Sequence, residues 1–229
     1  MTTEWLIDET SSLFEDEARQ VAAGDFGFQQ LDPTLPIAVT LHDVTIHNTH
    51  VLFNRPAEIR LDALFVSPTT DSIYQPATFP FSGVRDGQQL PIDTNGIGLY
   101  LGTPRYLLDV SLIASQGGTK DGENKTLGDL LADNADNLGD LLGNVTQLAV
   151  AAPQAAAITG AAAAAAKLSA TALRLLDEWT GKSIGLYRVT WWEHRNRFGL
   201  GSHPEDGGRF RHGDFEFRYE VFQDTAADS

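Results

Sequence analysis

The chain has 229 residues, of which 42% are hydrophobic, and its formal net charge at pH 7 is −15. This length and apolar content suffice for a full hydrophobic core, so a chain disordered throughout is excluded. The negative charge argues against nucleic acids and anionic membranes as partners, because both are bound through clustered Lys and Arg side chains. The lack of cysteine excludes disulfide frameworks, thiolate catalysis and Cys-ligated zinc.

The charged residues carry a second bias. Asp outnumbers Glu by 20 to 11, and Arg outnumbers Lys by 12 to 4. A surface rich in Asp and poor in Lys is expected of a protein that works at high salt, where screening weakens repulsion between like charges. A genome of high GC content gives a similar bias without salt adaptation, so the composition leaves both explanations open.

Residues 1–30 form an acidic N-terminal segment. It has no basic stretch followed by an apolar one, so we expect no secretory signal and a cytoplasmic protein, unless export uses an unrecognised route. Within the segment, Ser12 and Glu15 make a capping box that predicts a short amphipathic helix over 12–23. Its apolar face consists of Phe14, Ala18, Val21 and Ala22. This helix has two candidate roles: a lid on an open end or edge of the sheet structure, or a docking peptide anchored by Trp5, Leu6 and Phe14.

Residues 31–125 and 181–224 are predicted to form one antiparallel β-sandwich. Apolar residues alternate from Ile37 to Leu41 and then change phase at Val44, which predicts a bulge near His42 and Asp43. Further strands are predicted at 59–65, 97–101, 106–113, 183–192 and 214–223. Residues 67–96 are rich in Pro, Gly, Asp and Thr and are predicted to be long surface connections.

Residues 126–180 are predicted to be an inserted helical hairpin. The sequence LGDLL occurs at 127–131 and again at 138–142, about three helical turns later. After Pro153, a second helix is predicted over 154–179, with its larger residues at heptad spacing. We expect the hairpin to pack on itself and on one sheet face. The residues of its apolar seam predicted to bind a partner are Leu142, Leu168, Leu175 and Trp179. Residues 225–229 are expected to be a solvated tail.

Two loops concentrate oxygen ligands of the kind that calcium prefers. The first contributes Asp43, Asn48 and Asn54, and the second, within 193–214, contributes Glu205, Asp206 and Asp214. The spacing His47-x-x-His50 with a third histidine also matches a zinc or nickel site, although this spacing is nonspecific.

We predict no catalytic residue. The sequence contains no G-x-S-x-G nucleophile elbow.

The run IAVTLHDVTIHNTHVLFNRPAEIRLDALFV resembles the opening of a C2-like calcium/lipid-binding β-sandwich, and GDFEFRYEVF is similar to its closing strand. The resemblance implies a strand, a ligand-bearing loop and a second strand, followed much later by another Asp-bearing loop. The chain has Asn48, His50 and Asn54 where that family places Asp. Calcium affinity depends on the charge count of a site, so we expect weak calcium binding or no cofactor.

Together these patterns predict a mainly β protein with an α insertion: a C2-like antiparallel sandwich, an inserted helical hairpin and a short N-terminal helix. The predicted function is a non-catalytic binding or assembly module. Its hairpin and its 193–214 loop would contact a protein partner or copies of itself. The alternative is a calcium-regulated C2-like module. A membrane-inserting, pore-forming hairpin and a metal-dependent hydrolase are weaker alternatives.

Overall fold

A computed structural model describes residues 35–67, 73–117, 125–136, 138–139, 155–180 and 183–224. Within this part of the chain the protein is mainly β, with ten strands in two antiparallel sheets and few helices, which confirms the predicted mainly β character. The predicted N-terminal helix, residues 140–152 of the first predicted hairpin helix and the C-terminal tail lie outside the described residues.

The first sheet, sheet A, is built around β1 and β10, which pair along most of their lengths. Strands β4 and β5 pair with β1, while β8 and β9 pair with β10. The bounds are β1 Ile37–Ile46, β4 Gln88–Gln89, β5 Ile97–Gly102, β8 Gly201–His203, β9 Phe210–His212 and β10 Phe215–Gln223. The predicted bulge in β1 is present, since the register with β10 shifts between Leu41 and Val44.

The second sheet, sheet B, has four strands in the order β3, β2, β6, β7. Their bounds are β2 Ala57–Val66, β3 Tyr74–Val84, β6 Leu107–Gln116 and β7 Ser183–Trp192. The inner faces of the two sheets pack against each other through alternate apolar side chains. Phe65 of β2 and Phe217 of β10 are among the fully buried residues of this core.

The outer face of sheet B is also buried, which explains why nearly every residue of β2 and β6 is inaccessible to solvent. Two helices, α1 (Leu127–Ala132) and α2 (Ala155–Thr180), cover it. Leu64 and Ile113 of the sheet and Leu168 and Ala172 of α2 belong to this second apolar cluster. The described residues therefore form three layers, in the order sheet A, sheet B and helices.

A polar network also joins the sheet to α1. Asp62 has no exposed surface, and Arg60 donates to both of its carboxylate oxygens from Nε and Nη2 at 2.6 Å. Thr78 Oγ1 donates to Asp62 at 2.6 Å and accepts from the backbone N–H of Leu127 at 2.9 Å. Arg60 Nη1 also donates to the carbonyl oxygen of Lys125 at 2.9 Å. The start of the helical segment is thus fixed to a buried charge on the sheet.

The helical segment connects two neighbouring strands. Ser115 of β6 and Ser183 of β7 are paired residues, so the chain leaves and re-enters sheet B at the same place. We call this end of the molecule the insert end. It also carries the β1–β2 loop, the β3–β4 turn and the β9–β10 turn, because Ile46 pairs with Phe215 and Ala57 pairs with Val84.

Two regions predicted to be irregular contain regular structure. The 67–96 region holds β3, which has prolines at positions 76 and 80 and lies at the edge of sheet B. An edge strand tolerates proline because the missing N–H can face away from the ladder. The 193–214 region contains the short helix α3 (Glu193–Asn196) as well as β8 and β9, which are too short to give a periodic signal.

Candidate binding surface at the β1–β2 loop

The loop 47–56 passes from sheet A to sheet B at the insert end, and Thr49 fixes its centre. Thr49 is fully buried, and both its backbone N–H and its hydroxyl donate to Asp86 Oδ1, at 2.7 and 2.8 Å. These bonds lower the pKa of Asp86 below its ordinary value of 3.8. Gln116 Nε2 donates to the carbonyl oxygen of Thr49. The loop is thereby tied to both the β3–β4 turn and the end of β6.

Two histidines tie the same loop to β10 and the turn before it. His47 Nε2 lies 3.1 Å from a carboxylate oxygen of Glu216, and His50 Nε2 lies 2.7 Å from Asp214 Oδ2. The backbone N–H of His50 donates to Asn48 Oδ1 at 2.7 Å, and that of His47 donates to the carbonyl oxygen of Asp214 at 2.7 Å. The base of the loop is therefore held by three separate segments of the sandwich: the β3–β4 turn, the end of β6 and the start of β10 with the turn before it.

Beyond these anchors, Leu52 and Phe53 project from the loop. Their exposed fractions are 78% and 86%, whereas the preceding residue, Val51, packs against the inter-sheet core. We call Leu52 and Phe53 the loop tip. Phe53 adopts a left-handed backbone conformation, with φ 63° and ψ 28°, and His50 has φ 60°. This conformation is uncommon for non-glycine residues and often marks functional sites.

The six predicted metal ligands are not gathered into one site. Asp43 accepts from Arg218 Nε at 2.7 Å and from Gln89 Nε2 at 3.0 Å, on the outer face of sheet A. Asp206 accepts from the backbone N–H of Gly208 at 2.9 Å, and Glu205 next to it is exposed. Asp214 reaches the first loop through its contact with His50, and Asn48 and Asn54 belong to that loop. Across the described ranges, no group of three or more His, Cys, Asp or Glu side chains could hold a metal ion. Calcium binding, weak or otherwise, stays a prediction.

The predicted partner-binding residues of the hairpin lie in the helical layer. Leu168 and Leu175 are buried against sheet B, with exposed fractions of 1% and 8%, and Trp179 is partly buried against the same cluster. Leu142 lies outside the described residues. A partner would reach the two leucines only after α2 had left the sheet, whereas Trp179 is partly accessible, so partner binding through these side chains stays a prediction.

A cluster of aromatic and histidine side chains fills the core beside the 193–214 region. The hydroxyl groups of Tyr187 and Tyr219 lie 2.8 Å apart, and burial raises the pKa of Tyr187 to about 12 and that of Tyr219 further. The ring of His203 stacks on Tyr219 at 4.9 Å, and its Nε2 lies 2.5 Å from the carbonyl oxygen of Gly199. These contacts join β7, β8 and β10, so we interpret the cluster as packing.

A depression of about 520 Å³ lies on the surface of α2. The described residues that line it belong to that helix: Ala170, Thr171, Leu173, Arg174, Asp177 and Glu178. Burial raises the pKa of Asp177, but no group from another described element converges on it there. Among the described residues, the depression therefore has no convergent set of polar groups of the kind that forms a ligand site.

The loop tip was not predicted from the sequence. The available signal was the triplet VLF at 51–53, an apolar run inside a loop whose other residues are polar or proline. From the sequence alone, a short apolar run inside a loop is expected to be buried. In the structure only Val51 follows that rule.

No helix in the described part of the chain has the length and apolar content needed to cross a membrane. No family model, curated protein or solved structure matches the chain.

Proposed function

We propose that this chain is a non-catalytic binding module with a C2-like sandwich as its frame. In this proposal the loop tip, Leu52 and Phe53, inserts into an apolar pocket on a protein partner. The helical layer belongs to the frame, because its apolar side chains are occupied by sheet B. The observation that carries the proposal is the exposure of two adjacent large apolar side chains, at 78% and 86%, on a loop with an anchored base.

The anchoring supports a binding role because it reduces the entropy lost on association. The buried Thr49 and the pairs His47–Glu216 and His50–Asp214 hold the loop in place before any partner arrives. A pre-organised aromatic side chain that enters a pocket is a common origin of binding energy, and truncation of such a side chain costs about 2 kcal/mol or more.

The charge of the chain favours a protein over a lipid surface as the partner. Loops with exposed apolar side chains also enter membranes, but anionic membranes attract basic proteins, and this chain has a net charge of −15. We therefore propose a pocket with an apolar floor and a neutral or basic rim, to which an acidic protein is attracted over longer distances.

The experiment begins with a photoreactive benzoylphenylalanine at position 53 of the full chain, irradiated in an extract of its own cells. The partner captured in the adduct is identified and purified on its own. Its dissociation constants for wild type, for Leu52→Ser and for the matched control Leu101→Ser are then measured by calorimetry. Leu101 is 54% exposed and lies outside the loop, on sheet A.

We expect Leu52→Ser to weaken binding by about 30-fold, which corresponds to about 2 kcal/mol, and Leu101→Ser to leave it unchanged. Equal affinities for wild type and Leu52→Ser would refute the proposal, as would the absence of any adduct. Adducts with lipid alone would favour a membrane role, and adducts with the chain alone would favour self-assembly.

A further inference from the structure

A second exposed apolar surface lies on the outer face of sheet A. Ala38, the second residue of β1, pairs with Leu101 of β5 on one side and with Phe222 of β10 on the other. Directly paired residues of antiparallel strands point to the same face, so the three side chains form a continuous row. Leu101 is 54% exposed and Phe222 is 38% exposed. We call Ala38, Leu101 and Phe222 the apolar row.

The rest of this face is polar. The next row contains Thr40, which pairs with Gly98 and Glu220. Beyond it, His42 lies 3.6 Å from Glu220, and Arg218 contacts Asp43 at 2.7 Å. The apolar row is therefore a local feature of one end of the sheet, the end opposite the insert end.

The N-terminal part of the chain leads directly to this row. Residues 1–34 precede the first described residue, Leu35, and β1 begins at Ile37, one residue before Ala38. The C-terminal part leaves from the same place, because the backbone N–H of Asp224 donates to the carbonyl oxygen of Pro36 at 2.8 Å. Residues 225–229 contain no large apolar side chain, whereas residues 1–34 contain several.

We propose that the apolar row is the docking surface for the chain's own N-terminal segment, through the apolar face of residues 12–23. That face consists of Phe14, Ala18, Val21 and Ala22. Residues 24–36 can span about 40 Å when extended, so the segment reaches the row without strain. Because the segment is tethered next to the row, its effective concentration there is on the order of millimolar, which favours it over a free peptide.

Charge makes this docking salt-dependent. Residues 1–34 carry eight acidic side chains and one arginine, a net charge of −7, and the remaining residues account for the other −8 of the total −15. The two parts repel each other at low ionic strength, and salt screens that repulsion. Docking should therefore strengthen from low salt to molar KCl.

The test is hydrogen exchange of the backbone amides of residues 12–23 in the full chain, at low salt and in molar KCl. The test variant is the double substitution Leu101→Ser with Phe222→Ser. The matched control is Leu52→Ser with Phe53→Ser, which removes equally large apolar side chains from the insert end. A second test variant, Phe14→Ser with Val21→Ser, changes the segment and leaves the sheet intact.

We expect wild-type exchange in 12–23 to be slowed at least about 10-fold in molar KCl and to be independent of protein concentration. Both test variants should lose this protection, while the control should keep it. Equal exchange in wild type and both test variants would overturn the proposal. Protection that grows with protein concentration would also overturn it, since the row would then bind a second copy.

Discussion

Asp109 of β6 is a carboxylate without any exposed surface. Arg188 of β7 donates to both of its oxygens, from Nε at 3.1 Å and from Nη2 at 2.5 Å. Thr190 donates to it at 2.7 Å and Ser169 of α2 at 3.2 Å. A buried charge is tolerated when its hydrogen-bonding capacity is filled in this way. The carboxylate thus joins two strands to the helix above them.

Removal of this carboxylate leaves the guanidinium of Arg188 without its buried counter-charge. We expect Asp109→Ala to lower the free energy of unfolding by about 3–5 kcal/mol, measured by urea denaturation. The exposed substitution Glu205→Ala is the control and should change it by less than about 0.5 kcal/mol. A loss below about 1 kcal/mol for Asp109→Ala would mean that the network contributes little.

His212 is predicted to make stability depend on pH. Burial lowers its pKa in the folded protein below the ordinary value of 6.5, and its ring meets the edge of Tyr187 at 4.9 Å. As the pH falls, the unfolded chain therefore binds the proton first. His212 therefore leaves the free energy of unfolding unchanged well above pH 6.5 and lowers it progressively as the pH falls below 6.5.

The variant His212→Phe keeps an aromatic ring beside Tyr187 and removes the titration. Melting temperatures of wild type and variant should differ by a constant amount above about pH 7.5, and wild type should fall more steeply between pH 6.5 and 5. Melting temperatures of wild type and variant that fall in parallel between pH 6.5 and 5 would show that His212 does not contribute to the pH dependence of stability.

At the scale of elements, strands with strict alternation could be predicted from the sequence, and β10 is the clearest case. Its residues Phe215, Phe217, Tyr219 and Val221 are all buried, with partly or fully exposed residues between them. Strand β3 could not be predicted in this way. Pro76 and Pro80 interrupt its pattern, and most of its residues are only partly buried because it lies at a sheet edge.

The sequence of the helices also does not determine by itself which surface they pack against. A heptad seam indicates that a helix packs, but the same seam fits another helix or a sheet. Leu168 contacts the apolar cluster that includes Leu64 and Ile113 of sheet B. The nearly complete burial of β2 and β6 requires such a cover, because a sheet with two apolar faces needs a layer on each side.

The substitution Leu168→Asp tests this placement. An unpaired carboxylate on the covered face of α2 should lower the free energy of unfolding by several kcal/mol or prevent folding. Ala163→Asp introduces the same group at an exposed position of α2 and should cost less than about 1 kcal/mol. Similar urea midpoints for the two variants would contradict burial of the helix on the sheet.

For the whole molecule, the excess of 31 acidic over 16 basic side chains predicts that salt stabilises the fold. Ionic strength screens the repulsion among the acidic groups, so the melting temperature should rise from low salt to molar KCl. A melting temperature that stays constant or falls would remove the high-salt interpretation of the composition. The KCl series is measured at one fixed pH, so that the titration of His212 does not add to the effect of salt.

The candidate site was the least predictable part of the molecule. The residues that anchor the loop come from distant positions, as in the contact of Thr49 with Asp86 and that of His50 with Asp214. No local pattern in the sequence indicates these contacts. Leu52 and Phe53 are exposed because they lie beyond the anchored residues of the loop, whereas Val51 next to them is partly buried against the core, and only the tertiary structure shows this difference.

A loop tip that serves contact with a partner is not needed for folding. The free energy of unfolding of Phe53→Gly, measured by urea denaturation against wild type, tests this expectation. Phe53 is 86% exposed with φ 63°, a conformation that glycine adopts freely, so we predict an increase of about 1 kcal/mol. A decrease of about 2 kcal/mol or more would overturn the proposed role of the loop tip, because it would mean that the Phe53 side chain packs within the folded protein.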